Sequence, residues 1–269
     1  MHSILGYFLA DLLARWIPAR GAEALAVHLA RAAFALHLPA RSVLEENLAR
    51  THPALSPRDR AAIARRSFEQ FGRSLAEFLR RDRLDDPTLI RRLRVRGRQH
   101  LRAARAGGSG VIVLSAHAGN WEWGAAYLAA SVRKLHVIAR PHPSRWVERF
   151  FRRRRAVRGV ETLRAGRTWS EAASALRRGE WVAMMGDRPA LGSRRPPCAW
   201  AAALARRTGA TLLPAVVVRT AAGRYVACFA PPLTPEECAA GAYSACMMRW
   251  LNGRLAQWQP FEPLPKEWA

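Results

Sequence analysis

The sequence predicts an α/β fold, with a mostly parallel central sheet flanked by helices and an N-terminal helical region ahead of it. Three observations carry this. Apolar residues recur at helical spacing through the N-terminal third. From Leu93 onward, short apolar runs alternate with helical segments, the rhythm of a parallel sheet with crossover helices. One run, Val111-Ile112-Val113-Leu114, is apolar at every position, as a strand covered on both faces must be. The predicted organisation is a helical region over residues 1–92 and an α/β core over residues 93–269, the core forming one continuous domain.

The elements follow in order. Ile4, Leu5, Phe8, Leu9, Leu12, Leu13 and Trp16 make one broad apolar helical face, with Asp11 and Arg15 off it. This helix either docks on its own domain or lies in a membrane interface, with Phe8 and Trp16 as aromatic anchors. Its uncharged stretch, Ile4 to Ala10, falls far short of the ~20 residues a spanning helix needs. No cationic segment precedes it as in a secretory leader. Pro18 breaks it. Ala22 to Leu38 continues as a helix ending at Pro39, and Ser42 to Thr51 is a short helix closed by His52-Pro53. Ser56-Pro57-Arg58-Asp59 supplies an N-cap, a proline at the first helical position and an acid in the first turn. That helix runs to about Arg80, with Ile63, Phe68, Phe71, Leu75 and Phe78 inward; Asp85-Asp86-Pro87 is a turn.

In the core, strands are predicted at Leu93–Val95, Val111–Leu114, Leu135–Ala139, Trp181–Met185, Thr211–Arg219 and Tyr225–Phe229. Pro214 suggests a bulge in the fifth of these. Helices are predicted at Gln99–Ala106, Trp121–Ser131, Ser144–Val157, Trp169–Arg178 and Ala199–Arg207. A last helix spans Pro235–Gln257, interrupted near Gly241.

Composition narrows the partners. The chain has 269 residues, 44 Lys+Arg against 20 Asp+Glu, and a formal charge of +24. Only Lys134 and Lys266 are lysines, so 42 cations are arginine, a ratio that codon bias toward GC explains in part. With 50% hydrophobic residues and ten tryptophans, the chain is neither a disordered basic tail nor a histone-like extension. A field this positive calls for an anionic partner: nucleic acid, anionic membrane, acidic carrier protein or phosphorylated substrate. Nucleic-acid binding finds no motif to support it: no helix-turn-helix, zinc finger, ribonucleoprotein motif or KH loop. Cys198, Cys228, Cys238 and Cys246 form no Cys-x-x-Cys pair and no zinc-spaced cluster, so they read as core residues, and no metal is expected.

The chemistry concentrates in Leu114-Ser115-Ala116-His117-Ala118-Gly119-Asn120-Trp121-Glu122-Trp123-Gly124. His117 follows a buried strand, at the carboxyl end where ligands bind in open α/β sheets. Gly119 permits a sharp turn, Asn120 caps the next helix and Glu122 falls in its first turn. Across such a junction His117 and Glu122 can meet, and a carboxylate beside an imidazole prepares a general base. Asp187 also ends a strand, and is either a turn residue or a second wall of the same cleft. Residues 145–178 carry eleven Arg and three Glu. Arg149, Arg152, Arg153, Arg154, Arg155 and Arg158 span more than one helical face, so most are solvated. A few, with Arg140, are candidates to bind phosphate or an oxyanion.

His-x4-Glu after a hydrophobic strand resembles the lysophospholipid acyltransferase superfamily. Ala116-His117-Ala118-Gly119-Asn120-Trp121-Glu122 resembles, more narrowly, the bacterial lipid A late acyltransferases and their relatives that acylate other glycolipids. In order along the chain, further segments resemble that family: Glu46-Asn47-Leu48, the Ser56-Pro57 helix, Phe68-Glu69-Gln70-Phe71-Gly72, Arg140-Pro141, Arg154 to Gly159, Glu180 to Asp187, and Leu204 to Pro214. Three features depart: Arg188 stands where the family usually follows Asp with Gln or His, the aromatic loop before Leu204 is shortened or absent, and the N-terminal spanning segment common in the family is weak.

The resemblance implies a membrane-associated O-acyltransferase at the cytoplasmic face of the bacterial inner membrane, peripheral or monotopic. It would move an acyl chain from acyl carrier protein or acyl-CoA to a hydroxyl or amine of an anionic lipid or glycolipid, such as a lipid A precursor. His117 would deprotonate the acceptor and Glu122 would orient His117. Arg140, Asn120, Arg154, Arg155, Arg158, Asp187 and Arg188 would bind substrate, and no cofactor beyond the acyl donor is implied. The alternatives are a basic nucleic-acid-binding protein and a catalytically silent lipid- or carrier-binding relative.

Overall fold

The computed structural model describes residues 16–80, 93–163, 166–188, 196–221 and 223–268. Apart from Trp16, which is 81% exposed, the apolar segment 4–16 lies outside them, as does the Asp85-Asp86-Pro87 turn.

Helices α1 (Ala19–Ala35) and α2 (Pro39–Thr51) pack on the long α3 (Pro57–Arg80). The start of α3 is as its sequence requires: Ser56 Oγ accepts the Asp59 amide at 3.1 Å and donates to its carboxylate at 2.6 Å. Pro39, expected to stop one helix, instead opens the next as its first residue, a position where its missing N–H costs nothing. Gly72 sets the approach of α1 to α3, because a Cβ there would lie 2.6 Å from the Ala26 carbonyl oxygen.

Beyond residue 92 the order is β1 (Leu93–Arg96), α4 (Arg98–Ala106), β2 (Val111–Ser115), α5 (Trp121–Ser131), β3 (Leu135–Val137) and α6 (Arg145–Ala156). It continues with β4 (Val160–Thr162), α7 (Thr168–Arg177), β5 (Trp181–Met185) and α8 (Pro197–Thr208). Strands β6 (Thr211–Arg219) and β7 (Tyr225–Phe229) precede α9 (Pro235–Ala239) and α10 (Ala242–Leu251). The sheet has seven strands in the order β1-β7-β6-β2-β5-β3-β4. Every neighbouring pair is parallel except the β6–β7 hairpin. Strand β2 is central, between β5 and β6, and alternates its side chains into two cores: Ile112 and Leu114 into one, Val111 and Val113 into the other.

Three details differ from the expected elements. Strand β4, at the sheet edge, has only three residues and alternates too briefly to be read from sequence. The last helix is interrupted where expected, at Gly241 with φ +91°, but it ends at Leu251 rather than Gln257. Strand β6 is continuous through Pro214, which stands where pairing with β2 ends and pairing with β7 begins, so the absent N–H interrupts neither ladder.

Residues 255–268 run back across the domain through two 3₁₀ turns, Leu255–Gln257 and Lys266–Trp268. They are tied to α2 by the buried Asn47, whose amide donates to the Pro260 and Glu262 carbonyls at 2.8 Å each and accepts from the Leu264 amide at 3.1 Å. Among the described residues, no helix is long and apolar enough to cross a membrane.

Candidate active site

The site begins where β2 ends. Gly119 takes φ +57°, and a Cβ there would meet the Val217 carbonyl oxygen at 2.0 Å, so only glycine lets the turn press against β6. Asn120 then caps α5, its Oδ1 accepting the Trp123 amide at 3.3 Å. The turn is pinned from three sides. Ser74 of α3 donates to the Gly119 carbonyl at 2.9 Å. The Gly119 amide donates to the Gln257 carbonyl, and the Gln259 amide to the His117 carbonyl, both at 2.8 Å.

His117 is held by a carboxylate, and that carboxylate is Asp187. The imidazole Nδ1 lies 2.7 Å from Asp187 Oδ1, and the His117 backbone amide donates to Oδ2 at 2.7 Å. The Trp258 indole N–H donates to the same Oδ2 at 3.2 Å. Asp187 is fully buried. Burial pushes its carboxyl pKa up, but the His117 charge and the two His117 hydrogen bonds outweigh this, and the net shift is downward. An ionised Asp187 facing Nδ1 requires the proton on that nitrogen, which leaves the Nε2 lone pair to accept another. The edge of the imidazole meets Trp121 at a centroid distance of 5.1 Å.

Glu122, expected to orient His117, is paired elsewhere. It receives Arg155 of α6 in a two-pronged pair, Nη2 to Oε1 at 2.7 Å and Nε to Oε1 at 3.1 Å. Burial pushes the guanidinium pKa of Arg155 down, but the Glu122 charge and hydrogen bonds raise it further, so the pair stays ionised. The reason is placement: Glu122 sits in the first turn of α5 facing α6, whereas Asp187 lies on the turn after β5, the strand beside β2.

His117, Asn120, Glu122, Arg140, Arg155 and Arg188 all line one cavity of about 380 Å³. Its other walls are largely apolar, with Phe71, Leu75 and Phe78 from α3, Leu128 from α5, Phe151 from α6 and Val217 from β6. Arg140 and Arg188 share one carboxylate, Glu262, at 2.9 and 3.4 Å.

Three predicted substrate-binding residues do not line this cavity. Asp187 has no exposed surface and serves His117 instead. Arg154 is buried against α3, donating to the Leu79 carbonyl at 2.7 Å with its guanidinium over Phe150, so it ties α6 to α3. Arg158 lies in the turn after α6, outside the lining.

Two contributors were not visible in the sequence. Glu77 of α3 accepts Asn120 Nδ2 at 2.8 Å and the Tyr225 hydroxyl, with Arg219 at 3.7 Å. Burial raises the Glu77 pKa more than these partners lower it. The second is the 255–268 segment, whose Trp258 and Gln259 complete the His117 loop. The density of aromatics in that segment was the available signal, but nothing in it points to His117.

A family model described as bacterial lipid A biosynthesis acyltransferase matches residues 4–268. No curated protein matches the chain.

Proposed function

The chain belongs to the bacterial lipid A biosynthesis acyltransferase family, and from that premise we propose that it transfers a fatty acyl group from a thioester to a lipid or glycolipid such as a lipid A precursor. The acyl donor in this reading is acyl carrier protein or acyl-CoA, and the acceptor group is a hydroxyl or an amine. The observation that carries the mechanism is the His117–Asp187 pair, whose imidazole lines a largely apolar cavity.

In the proposed step, His117 Nε2 takes the acceptor proton as the acceptor oxygen or nitrogen attacks the thioester carbonyl carbon. The carbonyl electrons move onto oxygen. Collapse of that tetrahedral oxyanion breaks the C–S bond, and the thiolate leaves with the proton carried by His117. Asp187 fixes the tautomer and offsets the imidazolium charge that develops. No protein nucleophile is needed. The Glu122–Arg155 pair lines the same cavity as His117 and in this reading is a second catalytic element, its guanidinium offsetting the oxyanion charge. The apolar walls suit the acyl chain, and Arg140 and Arg188 suit the phosphate of donor or acceptor.

The test is to incubate the protein with radiolabelled acyl-carrier protein and a bacterial membrane lipid extract and to identify the acylated lipid by mass spectrometry. A newly acylated lipid is expected with the wild type and not with His117→Ala. Transfer that persists in His117→Ala sinks the mechanism, and no transfer by the wild type from acyl-carrier protein or, in a parallel incubation, from acyl-CoA sinks the reading.

Membrane association rests on the apolar face of residues 4–16 and on the exposed Trp16, Leu29 and Leu36. Deleting residues 1–17 should weaken liposome binding more on anionic than on neutral vesicles. Equal loss on both would show that charge plays no part in it.

A further inference from the structure

A second concave feature lies away from the His117 cavity, along the edge strand β4. A cleft of about 1050 Å³ runs between the outer side of α6, β4 and α7. Six cations line it against three carboxylates, Glu148, Glu161 and Glu171. Two of the cations, Lys134 and Arg178, are already engaged, with Glu161 at 3.0 Å and Glu180 at 2.8 Å. The rest come from α6. Arg145, Arg149 and Arg152 stand at i, i+4 and i+7, which places them in one stripe about 10 Å long. All three are exposed, as is Arg153 beside them. Among the described residues, no carboxylate pairs with Arg149, Arg152 or Arg153.

The floor of the cleft holds two polar atoms that lack hydrogen bonds. His136 is 4% exposed and binds Glu180 through Nε2 at 2.7 Å, but its Nδ1 makes no hydrogen bond and lies 3.5 Å from Glu161. Thr162 Oγ1 is likewise buried without a partner.

We propose that this cleft is the docking groove for an acidic helix of a protein partner and, building on the acyl-transfer reading above, that the partner is the acidic carrier protein bringing the thioester. The shape excludes a bilayer, which is flat where the groove is concave. It also exceeds a single phosphate, since the arginine stripe repeats at helical spacing along α6. Carboxylates at the same spacing on a partner helix would meet that stripe. The groove is also well placed for delivery. The adjoining face of α6, about a quarter-turn round from the stripe, carries Arg155, which pairs with Glu122 in the candidate site, so a partner in the groove lies within about one helix diameter, ~10 Å, of that pair.

The experiment titrates fluorescently labelled, unacylated acyl carrier protein into the full-length protein at low and high salt, for the wild type and for Arg149→Glu/Arg152→Glu. Thermal melts confirm that the variant is folded. Salt-weakened binding by the wild type is expected, with a loss of roughly tenfold or more in the variant. The KM for acyl-carrier protein should rise by a similar factor, while kcat/KM for a carrier-free acyl-pantetheine thioester stays unchanged. Equal affinity of variant and wild type overturns the proposal. So does a variant that loses binding to phosphatidylglycerol vesicles but keeps carrier binding, which would make the surface a membrane contact. A wild type that binds carrier protein through the groove yet transfers no acyl chain supports the groove and refutes the acyl-transfer reading.

Discussion

Among the described residues, two buried histidine–carboxylate pairs have the same 2.7 Å separation, and they differ in what surrounds them. His117 turns Nδ1 to Asp187 and lines a largely apolar cavity. His136 turns Nε2 to Glu180 and faces a cleft rich in arginine. Asp187 has no exposed surface, and its partners are the His117 ring, the His117 amide and the Trp258 indole. Glu180 is backed by Arg178, whose side chain is 51% exposed. An imidazole–carboxylate contact therefore does not by itself mark chemistry. The nitrogen left over, and the space it meets, decide whether the pair can move a substrate proton.

This contrast predicts where substitutions act, from the largest effect downward. His117→Ala should lower kcat/KM for acyl transfer by about 10²–10⁴-fold, the range for removing a positioned general base. A smaller loss would mean that His117 only shapes the pocket. Asp187→Asn should cost on the order of 10²-fold in kcat, because asparagine no longer fixes the Nδ1–H tautomer. The KM for the thioester should change little, and a defect confined to KM would return Asp187 to a substrate-binding role. Trp258→Phe keeps the ring but removes one hydrogen bond to a buried carboxylate, a loss of about 1–2 kcal/mol in unfolding free energy. Chemical denaturation measures it, and an unchanged midpoint would show that the indole N–H contributes nothing.

Glu180→Gln probes the other pair and should act on acid stability. The hydrogen bond from Arg178 pulls the Glu180 carboxyl to about 2 against burial, with His136 assisting. A carboxyl pKa lowered on folding adds stability that is fully present above the ordinary glutamate value and is lost as pH falls through about 2. The Tm gap between wild type and Glu180→Gln should therefore close over that interval. A gap that stays constant with pH would assign the effect to packing.

Much of this was legible in the sequence, for identifiable reasons. Strand β2 announced itself because both faces are covered, so every residue is apolar. Helix α3 did so through its Ser56-Pro57-Asp59 start, a purely local signal. The His117 turn was legible because a strand end, a glycine and a capping asparagine are adjacent in the chain. The partner of His117 was not. Asp187 lies seventy residues away and reaches His117 only because β5 pairs beside β2. Glu122, five residues away, was the nearer candidate, and it was claimed instead by Arg155 from α6. The arginines of α6 show the same limit: charge in a run of sequence does not reveal that Arg154 is buried, Arg155 lines the site and Arg152 faces outward. Packing sorts them, and packing is not local.

The return of residues 255–268 across the His117 turn has a consequence for the order in which the protein is made. Chains emerge from the ribosome N-terminus first, and structure forms in that order where it can. The sheet, His117 and Asp187 are all synthesised before Trp258 and Gln259 exist to secure the turn. A nascent chain thus carries His117 and Asp187 well before the turn after β2 is locked, and the site is complete only when this last segment has folded home.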